Sequence, residues 1–297
     1  MNKLACFFIG LALTVSLGVN AQLKPIMRIG LVADIQYADA ATRGTRYYQN
    51  SLRKLETCVA DLNAQQVQFS LNLGDVTDRN PKDLDSVLLV LKKLKKPIYT
   101  TPGNHDYHGV TDNKVLFAKL HMPSEYYAFE RKGWLFIMLN TNEIASYANV
   151  EGTWKEKELK VMMDSIKLAK GVNGEEYNGG ISSQQLKWLD VQLAKAQNQQ
   201  LKVLIFSHHP LDFSRGFTAL NSKEILAIIS RYSCVKGLFA GHHHTGDFGY
   251  HLKVPCITLE GMVETADKNA YGFLEIYPDS FEVKGVGRMK SYKYRFE

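Results

Sequence analysis

The apolar positions of the chain fall into short runs and longer helical repeats that alternate. Met27 to Ala33 is an aliphatic run that ends at Asp34-Ile35-Gln36. After a polar loop, Leu52, Leu55, Val59 and Leu62 recur at helical spacing, which predicts an amphipathic helix from Arg46 to Gln66. Val67 to Leu73 reads as a second strand, closed by Gly74-Asp75-Val76-Thr77-Asp78. Pro81 is placed to open a helix through Lys95, with Leu84, Val87, Leu88, Leu91 and Leu94 on its inner face. Ile98 to Thr101 is a third strand, and Pro102-Gly103 turns it into Gly103-Asn104-His105-Asp106.

Beyond that turn, Asn113 to Leu120 reads as helix, and Tyr126 to Glu130 with Gly133 to Asn140 as an antiparallel pair. Glu151 to Lys170 is a polar helix followed by an irregular loop from Gly171 to Gly180. Ser182 is a good N-cap for a helix to Gln197 with Leu186, Leu189 and Leu193 inward. Leu201 to Ser207 is a buried type of strand that ends at His208-His209-Pro210; Ser222 to Tyr232 is a helix. Val235 to Ala240 then delivers Gly241-His242-His243-His244, and strand-like runs at Val254 to Leu259, Tyr271 to Ile276 and Phe281 to Gly285 close the chain. A β-α-β-α-β start with a strand-rich end predicts a single layered α/β (α+β) domain of two mixed sheets, packed face to face with helices outside.

Composition changes this picture at the N-terminus. Lys3 precedes an apolar stretch from Leu4 to Val19, and Val19-Asn20-Ala21 offers short residues for cleavage before Gln22. That is the pattern of a signal peptide over 1–21, and it predicts export to periplasm or medium, with 22–297 as the mature domain. Cys6 lies too early for a lipoprotein site, which leaves Cys58, Cys234 and Cys256. Their spacing fits no zinc motif; buried free thiols or one disulfide both remain open. The net charge of +6 is spread over lysines on helix faces, with no basic stripe interleaved with aromatics. That argues against a nucleic-acid track while favouring anionic substrates.

The polar motifs sit where open α/β sheets place their sites, beyond the carboxyl ends of strands. Asp34, Gln36, Asp75, Asn104, His208, His242 and His244 supply oxygen and imidazole donors without a thiolate, a set suited to Mn, Fe, Zn or Mg. Taken singly, Asp34, Asp75 and Asn104 are ordinary turn residues, and His208-His209 is an ordinary core or surface pair. Their sequence of occurrence at five strand ends is not ordinary. His242 and His244 are two apart, so on an extended segment they share a side and His243 points away.

The series Asp34-x-Gln36, Gly74-Asp75-x-x-Asp78, Gly103-Asn104-His105-Asp106, His208-His209-Pro210 and Gly241-His242-His243-His244 resembles the calcineurin-like metallophosphoesterase superfamily. The resemblance implies a β-sandwich flanked by helices and a two-metal site. It implies that Asp34, Gln36, Asp75 and His244 hold one divalent ion, and Asp75, Asn104, His208 and His242 the other. Most members carry Asp-x-His first; Gln36 replaces that imidazole by a hard carbonyl donor, which favours manganese over zinc there. Within the superfamily, Asp34-Ile35-Gln36-Tyr37-Ala38-Asp39, Tyr177-Asn178-Gly179-Gly180-Ile181-Ser182 and Leu259-Glu260-Gly261-Met262-Val263-Glu264-Thr265-Ala266 are similar to the Mn-dependent ADP-ribose/CDP-alcohol diphosphatases. The expected substrate is therefore a small nucleotide diphosphate. The alternatives are a broader phosphodiesterase or phosphomonoesterase, and a non-catalytic binding protein on the same fold. His105 is expected to face the leaving group with Asp106 orienting it, and Asp78 to tie the Gly-Asp loop. Arg43 and Arg46 are candidates for a distal phosphate, Tyr177 and Phe213 for stacking on a base.

Overall fold

A computed structural model describes residues 24–296; the expected signal peptide at 1–21 lies outside them. Along the chain run β1 (Met27–Val32), α1 (Asn50–Ala64), β2 (Phe69–Asn72), α2 (Asp83–Leu91), β3 (Ile98–Thr100), α3 (Asn113–Lys119), β4 (Tyr127–Arg131) and β5 (Trp134–Met138). They continue as α4 (Trp154–Leu168), α5 (Ser183–Asn198), β6 (Lys202–Phe206), α6 (Ser222–Ile229), β7 (Val235–Ala240), β8 (Thr245–His251), β9 (Val254–Glu260), β10 (Ala270–Ile276), β11 (Ser280–Gly287) and β12 (Tyr292–Arg295).

The strands form two six-stranded mixed sheets, ordered β12-β11-β10-β1-β2-β3 and β4-β5-β6-β7-β9-β8. In the first sheet β1, β2 and β3 are parallel, in the second β5, β6, β7 and β9, so within each sheet the strands that lead into the polar motifs end on the same side. Strand alternation explains the layers. Phe136, Met138, Leu204, Phe206 and Phe239 of the second sheet point into the seam between the sheets. Leu135, Ile137, Val203, Ile205 and Leu238 point the other way, onto α5 and α6. In the seam Phe136 meets Phe69 edge-on at 5.2 Å and Phe239 meets Phe281 at 5.6 Å, so rings from both sheets interlock. Each such buried ring contributes roughly 1.5–3 kcal/mol.

Several boundaries differ from the sequence reading for identifiable reasons. Helix α1 begins at Asn50, not Arg46, because Arg46 forms bridges to Arg43 and Glu264 and the Tyr47 amide donates to Val263. Helix α2 is trimmed to Asp83–Leu91. Strands β8 and β12 escaped the pattern because both are sheet edges in which every residue is exposed or half-buried. Ser182 caps α5 as its sequence implies, accepting from the Gln185 amide at 3.0 Å. Cys58, Cys234 and Cys256 are free thiols. Among the described residues no helix is long and apolar enough to cross a membrane.

Candidate active site

The seven sequence-selected donors come together at one rim of the sandwich. Asp34 and Gln36 follow β1, Asp75 follows β2, and Asn104 follows β3. From the other sheet, His208 follows β6, and His242 and His244 follow β7. Four of them hold left-handed backbone: Asp34 at φ 52°, Gln36 at 42°, Asp75 at 55° and His242 at 69°. Such non-glycine conformations cost on the order of 1–3 kcal/mol each and persist only where the surroundings impose them. Here the Asp34 amide donates to Gly74 O at 3.0 Å, the Gln36 amide to Asp75 O at 2.8 Å, and the His242 amide to Asp34 Oδ1 at 3.0 Å. His242 is thus turned into the site by a left-handed residue, not by the extended segment expected, while His243 does face elsewhere, stacked on Phe217 at 4.5 Å. Two glycines make the crowding possible. A Cβ on Gly74, at φ +92°, would stand 2.6 Å from His208 Nδ1, and one on Gly103 would stand 2.1 Å from Asp75 Oδ1.

The donor atoms form two overlapping groups. Ligating atoms of Asp34, Asp75 and His244 lie within 4.8 Å of one another. In the second group His208 Nε2 is 3.0 Å from Asn104 Oδ1, 3.1 Å from His242 Nδ1 and 3.5 Å from Asp75 Oδ2. His209 also lies near, but its Nδ1 is 2.9 Å from Thr141 Oγ1 and its Nε2 3.2 Å from Tyr177 O. Both its nitrogens are engaged, so His208 alone of this pair offers one to the site.

Hydrogen bonding behind the imidazoles fixes which nitrogen is free. His208 Nδ1 lies 2.7 Å from Leu73 O and must donate, which leaves Nε2 as a lone pair. His244 Nδ1 donates to Glu264 Oε1 at 2.8 Å, which leaves its Nε2 3.7 Å from Asp34 Oδ1. Burial lowers the pKa of His208, His242 and His244, so all three favour the neutral, electron-donating form. Although burial alone would raise it, the hydrogen bond from His244, with Thr45 and Arg46, holds the Glu264 carboxyl down to about 2. Glu264 stands in a stretch singled out from the sequence, but nothing there gave it this role.

These groups fit divalent cations on their own chemistry. Lone pairs of Asn104, His208 and His242 converge with no hydrogen between them. Gln36 Nε2 donates to Asp75 Oδ2 at 2.8 Å, and its Oε1 is a buried oxygen without a hydrogen-bond partner. Burial and the neighbouring Asp75 push the Asp34 carboxyl well above its usual range. Burial would raise Asp75 too, but His105, whose amide donates to it, and the Gln36 amide group help to hold it down to about 2. A cation between such groups satisfies the orphaned oxygen and relieves the carboxylate repulsion.

The expected pairing of Asp106 with His105 is not what the structure has. Asp106 Oδ1 accepts from the Val76 and Thr77 amides at 2.8 and 3.0 Å, and its Oδ2 from the Gly103 amide at 2.9 Å. It pins one loop to the other, and burial with Asp75 nearby pushes its carboxyl up to about 7. Asp78 instead meets the imidazole, with His105 Nδ1 3.1 Å from its Oδ1 and 3.2 Å from its carbonyl. The two acids exchange the roles expected of them. Sequence spacing could not separate them, since the loop folds back to bring Asp78 beside His105.

A cleft of about 670 Å³ opens over these groups, lined among others by Arg46, His105, His108, Tyr147, Tyr177 and Phe217. Arg46 lies 3.5 Å from His105 Nε2 and 3.7 Å from Asp78 Oδ1, whereas Arg43 is exposed and does not line the cleft. Tyr177 does line it, stacked on Phe217 at 5.6 Å. Phe213, the other expected aromatic, packs over Gly249 of β8, where a side chain would strike its ring at 2.2 Å. Phe217 takes the place assigned to Phe213; both lie in one loop, and no periodicity there says which ring turns inward.

This is the arrangement of a phosphohydrolase built on a β-sandwich with donors from both sheets. The chain belongs to the calcineurin-like phosphoesterases, whose family model matches residues 27–246. It is accordingly a hydrolase of phosphate bonds that works with two divalent metal ions. It is 31% identical to a Homo sapiens protein named manganese-dependent ADP-ribose/CDP-alcohol diphosphatase, over 89% of this chain and 91% of that one. A protein of the same name from Oryza sativa subsp. japonica is also 31% identical, over 92% and 95%. The crystal structure of a dimetal phosphatase from Danio rerio superposes with a TM-score of 0.85 at 25% identity, covering 92% of this chain and all (100%) of that one.

Proposed function

We propose that the protein is an exported, manganese-dependent diphosphatase that cleaves ADP-ribose- or CDP-alcohol-type nucleotides into a nucleoside monophosphate and a phosphorylated partner. The observation that carries this reading is the lining of the cleft, which Arg46, 3.5 Å from His105 Nε2, and the Tyr177–Phe217 stack share with the donor groups. A guanidinium suits a second phosphate, and stacked rings suit a nucleoside base. The names of the relatives support the same substrate class and metal.

Asp34, Gln36, Asp75 and His244 hold one cation in this reading; Asp75, Asn104, His208 and His242 hold the other. When bound, the cations neutralise charge on the phosphoryl group and acidify water. Water adds its oxygen to phosphorus as the bond to the bridging oxygen breaks. His105 is held through Nδ1 by Asp78, so its Nε2 is the nitrogen that faces the cleft and supplies a proton to the departing oxygen. Arg46, beside that nitrogen, takes charge on the departing phosphate. Export rests on the residues 1–21 and is tested by N-terminal sequencing of protein recovered outside the cytoplasm, which is expected to begin at Gln22.

The substrate reading is tested with ADP-ribose, CDP-choline and simple phosphomonoesters and diesters under Mn²⁺. Turnover confined to the simple esters would sink it and leave the broader phosphoesterase. A second variant probes the metal. Gln36→His replaces the oxygen donor with an imidazole and is expected to move the metal preference from Mn²⁺ toward Zn²⁺ by about tenfold in activity ratio. An unchanged ratio would show that Gln36 does not meet the ion.

A further inference from the structure

We infer that Asn178 is a positioning residue that joins the second cation group to the aromatic wall of the cleft. This inference rests on the two-cation reading above. Asn178 is 2% exposed. Its Nδ2 donates to Asn173 O at 2.9 Å and to Gly216 O at 2.8 Å, and carbonyls can only accept. Its Oδ1 is thereby turned to His242 Nε2 at 3.1 Å, and that nitrogen must carry the hydrogen. The lone pair of His242 is left on Nδ1, the atom 3.1 Å from His208 Nε2 in the donor group. One amide thus sets the tautomer of a cation ligand.

The same amide ties together the two loops that carry the wall. Its own loop bears Tyr177, and Gly216 adjoins Phe217. The wall also leans directly on the histidine turn: Tyr177 lies 5.7 Å from the His242 ring, and Phe217 stacks on His243 at 4.5 Å. Asn173 works at the loop alone, donating to Ala219 O at 2.9 Å and Leu220 O at 3.2 Å without reaching His242. The two asparagines therefore separate fastening the loop from orienting the ligand.

The test is a Mn²⁺ titration of the purified protein followed by the EPR signal of free Mn²⁺, alongside KM and kcat. Asn178→Ala is expected to weaken one of the two sites by about 10–100-fold and to raise KM. Asn178→Asp keeps the acceptor for His242 and loses both donors, so it is expected to retain Mn²⁺ affinity within about threefold while KM rises. Asn173→Ala is expected to raise KM with both sites intact. Equal weakening of both sites in all three variants would show a general structural role and overturn the inference. Wild-type Mn²⁺ binding by Asn178→Ala would overturn it alone; no Mn²⁺ binding by the wild type would overturn the metal reading beneath it.

Discussion

Asp75→Asn is expected to lower kcat/KM by at least about a thousandfold, near 4 kcal/mol of transition-state stabilisation, while the metal-free protein melts no lower than wild type. Asp75 is the one side chain common to both donor groups. Its Oδ2 meets Gln36 and His208, and its Oδ1 accepts from the His105 amide at 2.9 Å, so it also sets the position of the residue on the leaving-group side. An amide in its place weakens both groups at once. The same change removes a charge packed against Asp34, whose carboxyl is strained upward by burial and then by Asp75 itself. Activity and metal-free stability should therefore part company. Kinetics with Mn²⁺ and thermal melts in chelator check this, and activity within tenfold of wild type would exclude Asp75 as the shared ligand.

His105→Ala is expected to cost roughly 10²–10⁴ in kcat with Mn²⁺ affinity kept, because the residue acts on a proton and belongs to neither donor group. The loss should depend on the leaving group. A substrate that expels p-nitrophenolate needs little protonation and should lose far less than one that expels an alkyl phosphate. Equal losses on both would remove His105 from the leaving-group side. Asp78→Asn, which alters the contact of Asp78 Oδ1 with His105 Nδ1 together with the ion pairs of Asp78 with Arg46 and Arg79, should reproduce the same dependence in smaller measure, whereas Asp106→Asn should act through stability.

What the sequence made legible divides along a physical line. Strands buried on both faces, such as β5 to β7, are continuous apolar runs and were readable, and so were the donor motifs that follow them. The edges β8 and β12 alternate into solvent and carry a weaker signal. Site residues reached by backbone that folds back on itself were unreadable in their roles: Asp78 and Asp106 are both loop acids, and only the fold shows which meets His105. Phe217 and Phe213 sit four apart in one irregular loop, where side-chain direction is set by Gly249 and His243, far off in the chain. Asn178 and Glu264 act through a histidine nitrogen that no spacing rule reports.

The donors reach the rim from two different sheets, Asp34, Gln36, Asp75 and Asn104 from one and His208, His242 and His244 from the other. Ions held there work as rivets across the seam. Each one bound at a hundred times its dissociation constant adds about 2.7 kcal/mol against separation of the layers. The coupling runs both ways: whatever loosens the interlocked phenylalanines between the sheets spreads the donors at the rim and weakens their hold on the ions.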